Sequence, residues 1–240
     1  GRLAGKSSSK FASTKGAEIV KKINGKRIAR IGERPTGFDT CDYSKDELKA
    51  LAGVSVDELS LEDLFETAAA ASISDTANVM QIANATLEGL NSVDQDELDK
   101  SLRLKVAMDE IRKQGAYDAF AIRCWPETFT EYGGAVCGPA SMMGEARIPC
   151  ACEADVYGAL TQLVLQEVAQ APVFLTDLVD IDVEDNTGVI WHCGQAPVSM
   201  RDPAQTATAT VHKNRKMPLL YEFPLREGRV TFVRDPKSVV

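Results

Sequence analysis

The sequence lacks any long apolar run. Although 44% of its 240 residues are hydrophobic, no stretch approaches the roughly 18–20 consecutive apolar residues that a membrane-spanning helix requires. The N-terminal residues also lack the apolar centre of a secretory signal. We therefore expect a cytoplasmic protein with no membrane partner.

An excess of positive charge is also missing. The chain has 27 basic and 35 acidic residues, so its net charge is −8. A protein with this balance is repelled overall by a phosphate backbone, and we expect no nucleic-acid partner. The length and the 26% of charged residues are typical of a soluble globular protein with one large core or two small ones.

Metal-binding cysteine motifs are absent from the sequence. The six cysteines are scattered, and Cys150 and Cys152 are separated by one residue rather than by the two of a Cys-x-x-Cys motif. This spacing argues against structural zinc. Without a secretory signal, reduced thiols are the favoured interpretation.

Glycine motifs for phosphate binding are incomplete. Gly5-Lys6-Ser7 has the wrong spacing from Gly1 for a phosphate loop, and no predicted strand precedes it. Residues 32–37 follow a predicted strand, but they do not form Gly-x-Gly-x-x-Gly, and Pro35 has no amide proton. An ordinary turn is favoured over nucleotide binding.

The chain opens with a segment of low complexity. Residues 1–25 are rich in Gly, Ser and Lys, and we expect a lead-in segment whose first dozen residues are mobile. Because the first residues are Gly1 and Arg2 rather than methionine, we also expect a processed or truncated piece of a longer protein.

Periodicity beyond residue 26 predicts an α/β fold. Ser44 and Ser60 each precede a helix in the pattern of a capping box. Further helices are predicted at residues 76–88, 97–113 and 156–168, and strands at residues 26–31, 118–122, 148–152, 173–176 and 189–191. This order predicts a parallel sheet with flanking helices over residues 26–202. Short apolar runs at 219–223 and 230–233 indicate that residues 203–240 are the start of a β-rich C-terminal segment.

Carboxylates end two of the predicted strands. Glu153 follows the strand at 148–152 and Asp177 the strand at 173–176, with one helix between them. In a parallel sheet the two side chains would emerge about 5–10 Å apart, at the edge where ligands bind. A carboxylate there also commonly caps the next helix, and for Glu153 alone that interpretation is equally good.

A third strand end strengthens the functional interpretation. The strand at 189–191 leads into His192, so two carboxylates and an imidazole would reach one edge of the sheet. Two facing carboxylates repel each other unless a cation lies between them. The pattern predicts a hard divalent ion, Mn²⁺ or Mg²⁺, held by Glu153, Asp177 and His192.

An Arg-Cys-Trp-Pro-Glu motif follows the strand predicted at 118–122. The ring of Trp125 could stack on the CH face of a sugar, while Arg123 and Glu127 could hydrogen-bond its hydroxyl groups. A buried tryptophan beside a surface salt bridge explains the same residues, and from these residues alone it is slightly favoured.

This motif and three later ones together resemble the L-fucose isomerase superfamily. The later motifs are Ala-Cys-Glu-Ala-Asp at 151–155, Gly-Ala-Leu-Thr at 158–161 and Trp-His-Cys-Gly at 191–194. The resemblance covers most of residues 24–235. It implies a homo-oligomeric enzyme that interconverts an aldose and a ketose through an enediol, with Mn²⁺ as cofactor. By the same likeness Glu153 and Asp177 bind the metal and carry out catalysis, and Cys193 contacts the sugar substrate.

One feature of the superfamily has no match in this sequence. Its metal-binding histidine lies in a later segment, whereas this chain has only His192 and His212, of which the strand argument favours His192. Members of the superfamily are also longer at the N-terminus by about one α/β domain. Two functions therefore stay open: a metal-dependent sugar isomerase, and a non-catalytic fragment that binds a sugar or assembles with a partner subunit.

Overall fold

The computed structural model describes residues 10–233. Its helices are α1 (Lys10–Ile23), α2 (Lys45–Ala52), α3 (Leu61–Ala69), α4 (Ile73–Thr86), α5 (Gln95–Gly115), α6 (Cys137–Glu145) and α7 (Val156–Ala169). Its strands are β1 (Arg27–Ile31), β2 (Ser55–Leu59), β3 (Ala119–Ile122), β4 (Cys150–Ala151), β5 (Asp177–Asp182), β6 (Thr187–Trp191), β7 (Thr208–Thr210) and β8 (Leu220–Glu222). The motif at residues 5–7 and most of the predicted mobile lead-in lie outside the described residues.

A four-stranded parallel sheet forms the centre of the fold. Its strand order is β2-β1-β3-β4, which confirms the predicted α/β class. The central strand β3 is buried along its whole length, because helices cover both faces of the sheet. On one face α3, α5 and α6 contribute Leu64, Met108 and Met143 to a core that includes Phe120 of β3. On the other face α2 and α7 form a second core. Within residues 10–233 no helix is both long enough and apolar enough to cross a bilayer.

Both predicted serine caps are present. Ser60 Oγ accepts a hydrogen bond from the Asp63 amide at 3.0 Å, and Asp63 Oδ2 accepts one from the Ser60 amide at 3.1 Å, which starts α3. Ser44 Oγ accepts one from the Glu47 amide at 3.3 Å at the start of α2. The sequence patterns do not predict α1, β2, α6 or β7, and residues 10–23 of the expected lead-in segment form α1. Only Val56 of β2 is buried, while α6 is buried over most of its length and has no polar face to reveal a helical period.

The predicted parallel strand at residues 173–176 is wrong. Those residues form no strand, and β5 begins at Asp177 and pairs antiparallel with β6, apart from the central sheet. Only four residues separate β5 from β6, whereas a parallel crossover needs about a dozen or more. The strand predicted at 189–191 is present as part of β6, but it belongs to this hairpin.

The hairpin of β5 and β6 stands out from the two cores. Every residue of β5 is exposed. The apolar side chains that the hairpin leaves exposed are Leu178, Val179, Ile181, Val183, Val189 and Trp191. A two-stranded hairpin by itself is marginally stable in water, so the position of this one depends on contacts at its base.

The C-terminal residues form a second antiparallel pair. β7 and β8 pair in a register that places Thr208 opposite Glu222. The strand predicted at 219–223 is therefore confirmed, whereas the run at 230–233 forms no strand. The Gly138 amide donates a hydrogen bond to the Leu219 carbonyl at 2.8 Å, which holds this pair against the start of α6.

Gly138 marks a close approach of two backbone segments. A Cβ added there would lie 2.7 Å from the Leu219 carbonyl oxygen, so Gly138→Ala should lower the free energy of unfolding by about 1–3 kcal/mol. Gly16→Ala in α1 is the matched control, because its Cβ would meet nothing within 4 Å and alanine favours a helix by about 0.5–1 kcal/mol. Urea unfolding measures both effects, and equal stability of the two variants would contradict the close approach.

Candidate active site

A cleft of about 230 Å³ lies at the base of the hairpin. Its size is below the roughly 300–1,000 Å³ typical of pockets for drug-sized ligands and suits a single small molecule. A groove of about 630 Å³ beside α7 is larger, but the cleft gathers more titratable groups, which identifies it as the candidate site. The cleft is lined by Cys124, Trp125, Phe129, Cys137, Glu153, Asp177, Trp191, His192, Cys193, His212, Asn214 and Arg215.

Glu153 lies in a short turn after β4 with a left-handed backbone conformation. Its φ is 57° and its ψ is 23°, and holding a non-glycine residue there costs about 1–3 kcal/mol, as is common at functional sites. Cys124 Sγ donates to Glu153 Oε1 at 3.6 Å. The cap of α7 is Asp155, whose Oδ1 accepts from the Gly158 amide at 2.8 Å. Glu153 is therefore not used as a helix cap, and its carboxyl group faces the cleft.

The surroundings of Glu153 strongly favour its neutral form. Burial raises the pKa of Glu153 to about 7, and the negative charges of Asp177 and Cys193 add to the increase, while His192 opposes it. A carboxyl group with a pKa near neutrality can both accept and release a proton at physiological pH. A bound cation would relieve the same burial and repulsion.

The hairpin brings Asp177 and His192 together. Asp177 is the first residue of β5 and pairs with Trp191, the last residue of β6, so His192 follows directly beside it. The strand pattern of the sequence predicts that Glu153, Asp177 and His192 meet, but at the ends of three parallel strands. The structure places all three on one cleft, but antiparallel pairing is the reason.

His192 is buried, and a thiol contacts one of its ring nitrogens. Only 8% of the residue is exposed, and Nδ1 lies 3.6 Å from Cys193 Sγ. Burial by itself lowers the pKa of His192, but the contact with Cys193 and the charges of Glu153 and Asp177 outweigh it and raise the pKa. With Nδ1 directed at Cys193, Nε2 is the nitrogen that an ion can use.

His212 also lines the cleft, but its ring is less suited to a metal. Its Nδ1 accepts hydrogen bonds from the backbone amides of Asn214 and Arg215, each at 3.3 Å. A neutral imidazole that accepts at Nδ1 carries its proton on Nε2, so neither nitrogen offers a lone pair to a cation. This geometry favours His192 as the imidazole ligand.

The predicted donors fit a divalent cation in kind but are not assembled around one point. Within residues 14–233, the group of three potential ligand atoms that all lie within 4.8 Å of one another is Cys124, Cys152 and Glu153. The hydrogen bond between the thiols of Cys124 and Cys152 raises the pKa of Cys152 and lowers that of Cys124. Burial raises both, so that each pKa lies above the ordinary value of a cysteine thiol. In the absence of an ion, both are therefore neutral thiols. Asp177 and His192 must move toward Glu153 to close around an ion.

Cys193 lines the cleft beside a second thiol. Its Sγ lies 4.0 Å from Cys137 Sγ. The hydrogen bond from Cys137 lowers the pKa of Cys193, and His192 and His212 lower it further. All six cysteines are free thiols in the structure. The family resemblance implies that Cys193 contacts the substrate, and the position of Cys193 on the cleft permits that role.

Arg123 and Glu127 lie beside the cleft rather than on its wall. The Arg123 guanidinium donates to both carboxylate oxygens of Glu127 at 2.6 Å and to the carbonyl groups of Glu33 and Arg34 at 3.1 Å. Most of its donors are thus engaged within the protein. The motif suggested direct substrate contact for both residues. Their bonds to each other favour the alternative interpretation, a salt bridge beside the tryptophan. Of the three predicted binding residues in this motif, Trp125 lines the cleft.

Residues 212–217 form a turn that the sequence patterns do not predict. Backbone hydrogen bonds close this turn, and it presents Arg215 to the cleft. The guanidinium carbon of Arg215 lies 5.3 Å from the centroid of the Trp125 ring. The available signal was the basic stretch Lys-Asn-Arg-Lys at 213–216 in an otherwise acidic chain.

The chain is similar to curated proteins named sulfoquinovose isomerase. The one from Priestia aryabhattai is 33% identical over 218 residues, which cover 90% of this chain and 48% of that protein. The one from Clostridium sp. (strain MSTE9) is 32% identical over 215 residues, with coverage of 90% and 48%. The one from Alkalicoccus urumqiensis is 33% identical over 220 residues, with coverage of 90% and 49%.

The similarity has a defined extent. The chain spans about half the length of the curated relatives it matches, and no protein-family model matches it. Over nine-tenths of its own length, the chain is thus similar to proteins named as sugar isomerases.

Proposed function

We propose that this chain carries the proton-transfer site of a metal-dependent aldose–ketose isomerase of the L-fucose isomerase type. The proposed substrate is sulfoquinovose, a glucose derivative with a sulfonate in place of the C6 hydroxyl group. The observation that carries the proposal concerns the carboxyl group of Glu153. Burial raises its pKa to about 7, and Asp177 and His192 lie beside it. The names of the relatives support the substrate.

Glu153, Asp177 and His192 are the residues that would hold the cation. Their oxygen and imidazole donors suit Mn²⁺ or Mg²⁺, which we propose as the cofactor. When bound, the ion supplies positive charge next to the two adjacent sugar oxygens on which negative charge develops. The repulsion between Glu153 and Asp177, which contributes to the raised pKa of Glu153, is the feature that such an ion would remove.

Glu153 is the proposed base. Aldose–ketose conversion removes a proton from C2 of the open-chain aldose and returns it to C1, with an enediol between the two steps. A carboxylate whose pKa is close to the ambient pH takes up the first proton and releases the second with little penalty in either direction. Asp177 is the second proposed catalytic residue and would accept the hydroxyl proton that moves between the two oxygens.

The carbon chain of the sugar is proposed to lie against Trp125, with Cys193 on the wall beside it. Aromatic faces bind the CH surface of a sugar. The ion pair of Arg123 and Glu127 then acts indirectly, because it fixes the loop that carries Trp125. We also propose that the protein is cytoplasmic and forms a homo-oligomer. The exposed apolar side chains of the hairpin support the oligomer.

A second candidate function is a non-catalytic module that binds a sugar or a partner subunit. Two observations favour it. The chain spans about half the length of its relatives, and the ligand atoms of Glu153, Asp177 and His192 are not all within 4.8 Å of one another.

Isomerisation in deuterated water separates the two candidates. This chain, and the longest natural form of the protein that contains it, are each incubated with sulfoquinovose and Mn²⁺. Formation of the ketose, with deuterium at the carbon beside the carbonyl, is the expected result, because the base exchanges its proton with solvent. Chelation of the metal should stop both ketose formation and deuterium incorporation. A long form that binds Mn²⁺ but converts no aldose in a broad panel would reject the isomerase in favour of the binding module.

A further inference from the structure

One wall of the cleft carries charge opposite to that of Glu153 and Asp177. On that wall Arg215 projects from the turn at 212–217 and lies over the ring of Trp125, with 5.3 Å between the guanidinium carbon and the ring centroid. Among the side chains of residues 14–233, Arg215 has no carboxylate partner within 4.0 Å. Its positive charge is therefore not neutralised by an ion pair in that part of the chain.

Cation–π attraction positions a guanidinium without an anionic partner. The face of the ring attracts the delocalised cation, whereas the N–H groups lie in the guanidinium plane and remain available to an oxyanion. Two of them can bind such an anion through parallel hydrogen bonds. Arg123 shows the contrasting case, because it gives such a pair of bonds to Glu127.

The turn also fixes the backbone from which Arg215 projects. The backbone amide of Arg215 donates to Nδ1 of His212 at 3.3 Å, and the His212 ring packs edge-on against Phe129 with 5.4 Å between the centroids. Asn214 lines the same wall of the cleft, where its side-chain amide can supply a further donor. Arg215 and Asn214 together match the several oxygens of a small tetrahedral anion.

We propose that Arg215, held against Trp125 and assisted by Asn214, binds the terminal sulfonate of the sugar and selects sulfonated over neutral aldoses. The inference rests on the proposed function, since Glu153 and Asp177 define the end of the cleft where C1 and C2 react. The same two carboxylates repel an anionic group. A sulfonated aldose therefore binds in one orientation, with its sulfonate at Arg215 and its carbonyl end at Glu153.

Binding of unreactive ligands tests this subsite apart from turnover. The probes are 6-deoxy-6-sulfoglucitol, which has no carbonyl group to isomerise, and glucitol, its neutral counterpart. By titration calorimetry with Mn²⁺ present, Arg215→Gln should weaken binding of the sulfonated alditol by about tenfold or more and leave glucitol unchanged. Arg215→Lys, which keeps the charge but not the paired hydrogen bonds, should fall in between.

Lys216→Gln is the matched control for charge. It removes the same charge from the same turn, and Lys216 does not line the cleft, so both alditols should bind as to the wild type. An equal loss of affinity for the sulfonated alditol in Arg215→Gln and Lys216→Gln would indicate a general charge effect and overturn the subsite.

Kinetics distinguish failure of the subsite from failure of the proposed function. Arg215→Gln should lower the ratio of kcat/KM for sulfoquinovose to that for glucose by about tenfold, mainly through KM for sulfoquinovose. Wild-type selectivity in this variant would overturn the subsite while leaving the isomerase intact. Arg215-dependent binding of the sulfonated alditol by a protein that converts no aldose would support the subsite and reject the isomerase.

Discussion

Replacing Glu153 with glutamine is expected to reduce kcat for aldose–ketose conversion by roughly a thousandfold. Glutamine keeps the size of the side chain but cannot take the proton from C2, and a general base typically contributes about a hundred- to ten-thousandfold. The change also removes one charge from the proposed metal ligands. Steady-state assays with sulfoquinovose, together with loss of deuterium incorporation at the carbon beside the carbonyl, measure the effect.

Two further variants separate proton transfer from metal binding and from nonspecific loss. Asp177→Asn should weaken Mn²⁺ binding, and excess Mn²⁺ should recover part of its activity, because Glu153 is still present. Glu131→Gln removes an exposed carboxylate from the turn at 128–132 and should behave as the wild type. Deuterium incorporation at the wild-type rate in Glu153→Gln would show that another group is the base.

Glu153→Gln is also expected to stabilise the metal-free protein at alkaline pH. The pKa of Glu153 is raised from 4.5 to about 7, so between these values the folded protein binds more protons than the unfolded chain. Stability therefore falls as pH rises through this window. At pH 8 Glu153 is ionised in the folded wild type, which lowers the free energy of unfolding by about 3 kcal/mol at 1.36 kcal/mol per pKa unit. Glu153→Gln avoids this loss.

Urea unfolding in the presence of a chelator tests this linkage. Glu153→Gln should exceed the wild type in unfolding free energy by about 2–3 kcal/mol at pH 8, and the difference should vanish near pH 4.5, where the wild-type carboxyl is already neutral. Added Mn²⁺ should reverse the order, because a ligand that binds the native state stabilises it by mass action. Equal stability of the two proteins at pH 8 without metal would mean that Glu153 ionises without penalty.

Local signals in the sequence were sufficient for much of the fold. Ser44 and Ser60 start helices because a hydroxyl oxygen accepts from a nearby backbone amide, a pattern that depends on a few adjacent residues. The parallel sheet followed from the alternation of buried strands and helices. The hairpin is not predictable in this way, because the apolar run at 173–176 predicts a strand whereas β5 begins only at Asp177.

The site was predictable in its residue types but not in its geometry. Glu153, Asp177 and His192 were found from their positions at strand ends, and all three line the cleft. The left-handed backbone of Glu153 has no signal in the sequence, because glycine is the residue usually found in that conformation. The role of the turn at 212–217 depends on contacts with Trp125, which is remote in the chain and beyond the reach of local patterns.

The hairpin carries two of the three proposed ligands, and this couples its order to the binding of an ion. Asp177 begins β5 and His192 directly follows β6, so one rotation at the hairpin base moves both donors relative to Glu153 in the turn after β4. An ion that joins all three residues immobilises the hairpin, and by linkage a better ordered hairpin binds the ion more tightly. Amide hydrogen exchange along β5 and β6 would therefore report occupancy of the proposed metal site. Substitutions at the hairpin tip, remote from every proposed ligand, should then change the affinity for the ion.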